Sequence, residues 1–199
     1  MIRKDDFSGF SENPTGYILV QIFTAVRIPL SLLFAVALLV IKNQNLMYFL
    51  CTLLLIVVEA SDILDGIIAR KYNLASEYGA ALDPYADSIT RLIIYWSLAQ
   101  KNLVLFLVPL CMAIRDVTVA YARIVLAKKN QTVSARISGK VKASVQATGS
   151  FAALFGPVYW KHTGSWTFYT LSWILIVVTL LSSVEYVRDA LKALRKKTA

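Results

Sequence analysis

The sequence predicts an all-α integral membrane protein of six transmembrane helices, and three observations carry that expectation. Apolar residues make up 57% of the 199-residue chain and the mean hydropathy is +0.60, too apolar for a water-soluble domain of this length. Apolar stretches long enough to cross about 30 Å of hydrocarbon recur along the whole chain. The basic residues are segregated into alternate connections between those stretches, as expected of a chain that threads back and forth across a bilayer. The length leaves no room for a second sizeable soluble domain.

The elements follow in order. Residues 1–16, with Ser8, Gly9, Ser11, Asn13, Pro14 and Gly16, read as an interfacial N-terminal segment. The first span, near 17–41, is read as a retained helix and not a cleaved leader: it is long, contains Arg27 and Pro29, and runs into Lys42 where a leader would have small residues. Further spans are expected near 46–69, 78–98, 103–127, 146–160 and 166–187, the fifth being the shortest. Residues 17–190 form the six-helix membrane domain and 191–199 a basic cytoplasmic tail. On this threading one side carries Arg3, Lys4, Arg70, Lys71, Arg123, Lys128, Lys129, Arg136, Lys140, Lys142, Arg188, Lys192, Arg195, Lys196 and Lys197, and the other only Lys42, Lys101 and Lys161. That asymmetry puts both termini in the cytoplasm, with the bacterial cytoplasmic (inner) membrane as the expected location. The net charge of +9 is therefore read as topology and anionic headgroup attraction, and nucleic-acid binding is excluded for so apolar a chain.

Cys51 and Cys111 each stand alone in apolar runs, and His162, the only histidine, falls in an outer connection beside Lys161. A histidine-centred metal site or catalytic triad is excluded by that inventory. What remains is a carboxylate cluster: Glu59, Asp62, Asp65, Asp83 and Asp87 in an otherwise largely apolar stretch. A carboxylate at a transmembrane helix centre costs about 2.5–3.5 kcal/mol on insertion scales, so such residues mark sites that bind cations or move charge. Asp62 and Asp65 are three apart and Asp83 and Asp87 four apart, so each pair shares a helix face. The second span approaches the cytoplasm at the first pair and the third leaves it at the second, which brings both pairs to one level. Divalent cations are the usual means of keeping such like charges ionised together. Oxygen-only ligands suit Mg²⁺ or Mn²⁺, with Ca²⁺ also compatible. The predicted architecture thus has a polar metal site in the cytoplasmic half of the bundle.

Gly66 and Gly79 flank these pairs. Glycine costs about 1 kcal/mol in a helix interior, which close approach of a bulky group would offset. The alternative is small-residue helix packing, shared with Ala69 and Ala80. Arg70, at the cytoplasmic mouth, is either a topology anchor or a phosphate ligand.

Taken together, Asp62-x2-Asp65-Gly66-x2-Ala69-Arg70-x8-Gly79-x3-Asp83-x3-Asp87 resembles, at every fixed position, the signature of the CDP-alcohol phosphotransferases (CDP-alcohol phosphatidyltransferases). The resemblance implies a six-helix membrane homodimer using two divalent cations. It implies that Asp62, Asp65 and Asp83 hold metal, that Asp87 both holds metal and acts as general base, and that Gly66, Ala69, Arg70 and Gly79 line the cytidine nucleotide pocket. Thr24-x2-Arg27 resembles a further element of the phosphatidylglycerophosphate synthase subfamily, with Gln21 where Asn is usual, and adds Thr24 and Arg27 to the CDP-lipid residues. Arg115-Asp116-Val117, Gly139-Lys140-Val141-Lys142 with Gln146, and Leu181-Ser182-Ser183-Val184-Glu185-Tyr186 are similar to the same subfamily. A departure is Ser88, where that subfamily has Lys after the last Asp; Arg91 follows one turn later.

The implied activity is transfer of a phosphatidyl group from CDP-diacylglycerol to a small alcohol with release of CMP, the acceptor being glycerol 3-phosphate. Arg115, Arg136, Lys140 and Lys142 are the expected acceptor-binding cations, as suits a phosphorylated substrate. For Arg115 an ion pair with Asp116 or Glu59 is the competing reading, and for the lysines the positive-inside rule. Inositol phosphate, serine or another alcohol would use the same chemistry. An ion-coupled transporter is the rival from another class, since intramembrane aspartates also mark ion paths, but no inverted repeat or pair of interrupted helices is present.

Overall fold

The computed structural model describes residues 14–71, 77–128, 137–164 and 166–195. Among these are seven helices and no strand: α1 (Pro14–Val40), α2 (Gln44–Lys71), α3 (Glu77–Gln100), α4 (Leu107–Ala127), α5 (Ile137–Leu154), α6 (Gly156–Thr163) and α7 (Trp166–Arg195). The segments Ile22–Val40 of α1, Gln44–Leu64 of α2 and the whole of α7 are long and apolar enough to cross a membrane. The protein is an all-α membrane protein. Helices α3 and α4, at 24 and 21 residues, are long enough as well but carry internal charges, Asp83, Asp87 and Arg91 in one and Arg115, Asp116 and Arg123 in the other. The chain forms two compact units, divided between Ser97 and Leu98 in the last turn of α3.

In the first unit α1 buries a stripe of Thr24, Arg27, Ser31, Phe34 and Leu38, spaced three or four apart, while Leu32, Leu33, Val36 and Val40 are exposed. Its polar end is Thr24 to Ser31 and its apolar end Phe34 to Leu38. Helix α2 buries Cys51, Leu55 and Val58 at the same spacing, and that face runs on into Ser61 and Asp62. The turn between them is closed by Asn43, whose side-chain oxygen accepts from the Leu46 N–H at 3.2 Å and whose carbonyl starts the α2 ladder. α3 is tied to α1 and α2 by long charged side chains. Pro84, between Asp83 and Asp87, has no N–H to donate and leaves the Ala80 carbonyl without its helical partner.

In the second unit α4 and α7 pack through Val119, Ala122 and Leu126 against Tyr186, Ala190 and Ala193. Arg123 lays its guanidinium over the Tyr186 ring, 5.4 Å from the centroid. The α5 region differs from the expected span at 146–160. The helix begins at Ile137, ends at Leu154, and is followed after Phe155 by the separate eight-residue α6. Pro157 sits in the first turn of α6, and its missing N–H ends the preceding ladder. Gly156 is required there: a Cβ would lie 2.4 Å from the Trp160 ring. The early start escapes a hydropathy reading because Ser138, Lys142 and Gln146 are polar residues that find protein partners. α6 ends at Gly164, whose positive φ of 80° suits glycine and whose N–H donates to the Trp160 carbonyl. α7 extends beyond the expected 187 to Arg195, with Tyr186, Ala190 and Ala193 on its buried face.

Candidate active site

The first unit concentrates its charge on two arginines. Arg27, 1% exposed, donates through Nη1 to Asp62 Oδ1 and through Nη2 to Asp83 Oδ1 at 2.5 Å. The guanidinium comes from α1, the carboxylates from α2 and α3. Helix spacing places Arg27 one turn after buried Thr24, so both side chains share the face of α1 that looks into the unit. The carboxylates are open where the arginine is not: Asp62 is 37% and Asp83 57% exposed. Arg91 on α3 forms the second node. It forks onto Glu59 of α2, Nη1 to Oε1 at 2.5 Å and Nη2 to Oε2 at 3.0 Å, and its Nε reaches Asp87 Oδ1 at 3.4 Å.

Three of the four signature aspartates are therefore placed by arginines in this unit. Asp62 and Asp83 converge on one cation, and Asp87 faces another. Carboxylate oxygens from two helices gathered around a single positive charge on half-open side chains fit a hard divalent cation. Among the described residues no three such ligands form a closed cluster. Asp65 belongs to α2 and would be the next ligand, but its side chain lies outside the described set, as do those of Ala69 and Arg70. Gly66 lies on α2 beside Asp65, and Gly79 on the first turn of α3.

The second unit holds a polar track inside an apolar bundle. Arg115, 8% exposed, donates from Nε to Ser182 Oγ at 2.9 Å and from Nη1 to Asp116 at 2.7 Å. Lys142 of α5, 4% exposed, reaches the same Asp116 oxygen at 3.3 Å. One turn further Gln146 donates to Thr179 Oγ1 at 3.0 Å. Of the two ion-pair partners open to Arg115 in the sequence, Asp116 takes it and Glu59 goes to Arg91. Lys140 is exposed on α5, and Arg136 lies outside the described residues. Sequence reasoning did not single out Ser182 and Thr179 as partners. Ser182 falls in the stretch Leu181-Ser182-Ser183-Val184-Glu185-Tyr186 that is similar to the subfamily, while the signal for Thr179 was a hydroxyl on a largely apolar run of α7.

The family model for CDP-alcohol phosphatidyltransferase matches residues 17–184, nearly all of the described chain. The chain belongs to this family. Membership makes the CDP-alcohol phosphatidyltransferase described here a membrane-bound transferase, and it accounts for the retention of every fixed signature position from Asp62 to Asp87. Among its relatives are proteins named CDP-diacylglycerol–glycerol-3-phosphate 3-phosphatidyltransferase. That of Bacillus subtilis is 30% identical over 144 residues, covering 72% of this chain and 74% of the relative. Those of Treponema pallidum and Escherichia coli K12 are 29% and 28% identical, covering 71% of this chain in each case and 70% and 79% of the relatives.

Proposed function

We propose that this CDP-alcohol phosphatidyltransferase moves the phosphatidyl group of CDP-diacylglycerol to glycerol 3-phosphate, releasing CMP and forming phosphatidylglycerophosphate. The observation that carries the reading is the convergence of Asp62 and Asp83, from two helices of the signature, on one buried cation. A CDP-linked lipid keeps its pyrophosphate at headgroup depth and its acyl chains in the bilayer, so a carboxylate site on membrane helices meets it without extracting it.

Asp62, Asp65, Asp83 and Asp87 are the residues that would hold two divalent cations, Mg²⁺ or Mn²⁺, with Ca²⁺ also compatible. When bound, these cations neutralise the pyrophosphate and stabilise CMP as the leaving group. The chain's own groups do the rest. Asp87 accepts from Arg91 at Oδ1, while its Oδ2 accepts no hydrogen bond among the described residues and can take the acceptor hydroxyl proton. The deprotonated oxygen attacks the lipid-side phosphorus, a new P–O bond forms, and the bond to the CMP phosphate breaks. Gly66, Ala69, Arg70 and Gly79, with Thr24 and Arg27, are assigned to the CDP-lipid. Arg115, Lys142, Lys140 and Arg136 are assigned to the acceptor phosphate. Arg115 and Lys142 both reach the one Asp116, and two buried cationic side chains gathered there suit a phosphorylated acceptor better than serine or another alcohol without net negative charge.

The fold reading that goes with this function has six membrane crossings, both termini and the active site on the cytoplasmic side of the bacterial inner membrane, and a homodimer. The test is CMP release by purified protein given CDP-diacylglycerol, Mg²⁺ or Mn²⁺, and a panel of glycerol 3-phosphate, inositol phosphate, serine and glycerol. Glycerol 3-phosphate should give the highest kcat/KM. A better rate with an unphosphorylated alcohol removes the acceptor assignment, and no CMP with any acceptor removes the activity.

A further inference from the structure

Arg91 and Glu59 lie inside the apolar part of the first unit, 6% and 18% exposed, and neither belongs to the eight fixed signature positions. A paired buried charge gains little stability over apolar residues of the same size, since desolvation offsets most of the attraction. A plain staple between α2 and α3 would not need an arginine. The geometry offers another use. Glu59 takes one N–H from each terminal nitrogen of the guanidinium, Nη1 and Nη2, and this fixes the plane of the fork so that the Nε–H points back along α3 to Asp87 one turn earlier. Thr90, the neighbour of Arg91 on α3, is also buried, and so is Tyr95 one turn further on.

From this we infer that Arg91 is a positioning residue for Asp87, and that Glu59 is the group that orients it. The inference rests on the assignment of Asp87 as the general base. Glu59 cancels the arginine's charge, so Asp87 is held at Oδ1 by a directed N–H without facing an uncompensated cation. The carboxylate is thereby kept in one rotamer with its second oxygen turned to the acceptor. Lysine could not replace Arg91, because a single ammonium on a flexible stem cannot hold Glu59 with two parallel bonds and reach Asp87 with a third.

The test uses the full chain in detergent or proteoliposomes, CDP-diacylglycerol and glycerol 3-phosphate, with kcat, both KM values and thermal stability read for each variant. The double variant Glu59→Met with Arg91→Met removes both charges of the buried pair together and leaves Asp87, 28% exposed, to water. It is expected to keep a melting temperature near that of the parent while kcat falls about tenfold or more and both KM values stay within about threefold. Arg91→Lys should show the same kcat-only loss, and serves as the deciding variant if the double variant does not fold. Stable variants with parental kcat overturn the inference and leave a structural staple. Equal rises in KM with unchanged kcat overturn it too, because they report substrate binding. Asp87→Asn is run beside them: if it keeps full kcat, the base assignment fails, and the failure is visible separately from that of Arg91.

Discussion

Replacing Arg27 by methionine separates the arginine's role in holding the aspartates from that of the divalent cations proposed there. Methionine keeps an unbranched apolar stem in the space of the arginine's own, and removes the positive end on which Asp62 and Asp83 meet. Breaking a fully buried ion pair from one side costs about 3–5 kcal/mol. Here the carboxylates are 37% and 57% exposed, so water takes over part of the lost interaction and about 1–3 kcal/mol is the expected loss. At about 2–4 °C per kcal/mol for a chain of this size, a loss near the middle of that range lowers Tm by about 4–8 °C. That holds in chelator. With Mn²⁺ at about a hundred times its Kd, binding to the folded state returns about 2.7 kcal/mol. The cation should now occupy carboxylates that the arginine no longer shares, so Mn²⁺ should raise Tm more in Arg27→Met than in the parent. Thermal aggregation in detergent, run with EDTA and across a Mn²⁺ titration, reads both numbers. A Tm deficit of the same size in EDTA and in saturating Mn²⁺ would refute the idea that arginine and metal act on the same pair of aspartates.

Other outcomes are equally open to measurement. Asp62→Asn and Asp83→Asn should each lose most CMP release while the protein still inserts, and chelator should silence the parent; activity that survives chelation rules out the metal reading. Lys140→Ala, at an exposed position, should raise the KM for glycerol 3-phosphate about tenfold, roughly 1.4 kcal/mol, with little change for the CDP-lipid. Asp116→Asn strips the shared anion from buried Arg115 and Lys142 and should destabilise by about 3–5 kcal/mol, seen as a drop in Tm. In a background lacking Cys51 and Cys111, single cysteines at the exposed Lys42 and Lys101 should label from outside intact cells and one at Lys128 should not. Outside labelling at 128 reverses the orientation.

The long apolar helices were legible because a stretch able to cross a membrane must be apolar over most of its length. The expected spans at 17–41, 46–69 and 78–98 fall within a few residues of α1, α2 and α3. The fifth was misjudged where that rule stops applying. Lys142, Gln146 and Ser138 face Asp116, Thr179 and Glu185, so their polarity says nothing of membrane depth. At the site the aspartates were readable from their spacing along two helices. Their partners were not: Arg27 reaches Asp62 across 35 residues and Asp83 across 56, and Arg91 reaches Glu59 across 32. A pairing that distant depends on how helices are set side by side, and no local pattern in one sequence encodes it. Ser88, a departure from the subfamily's lysine, is followed one turn later by Arg91, which is committed to Glu59.

Helix α7 carries a dimensional consequence. From Trp166, exposed at its start, to Val184, the last apolar residue before Glu185, the helix rises about 27 Å at about 1.5 Å per residue, close to the thickness of a typical hydrocarbon core of about 30 Å. If α7 crosses the bilayer, an aromatic ring at one end and Glu185 and Arg188 at the other would anchor it at the two interfaces, and the lipid would set its depth. Ser182, which holds Arg115, lies less than one turn from the charged end. Lengthening the acyl chains would draw that hydroxyl inward or thin the bilayer around the helix, and the arginine's depth would change with it. On that reading bilayer thickness would act as a ruler for the polar track, and activity measured in vesicles of graded acyl-chain length would show whether it does.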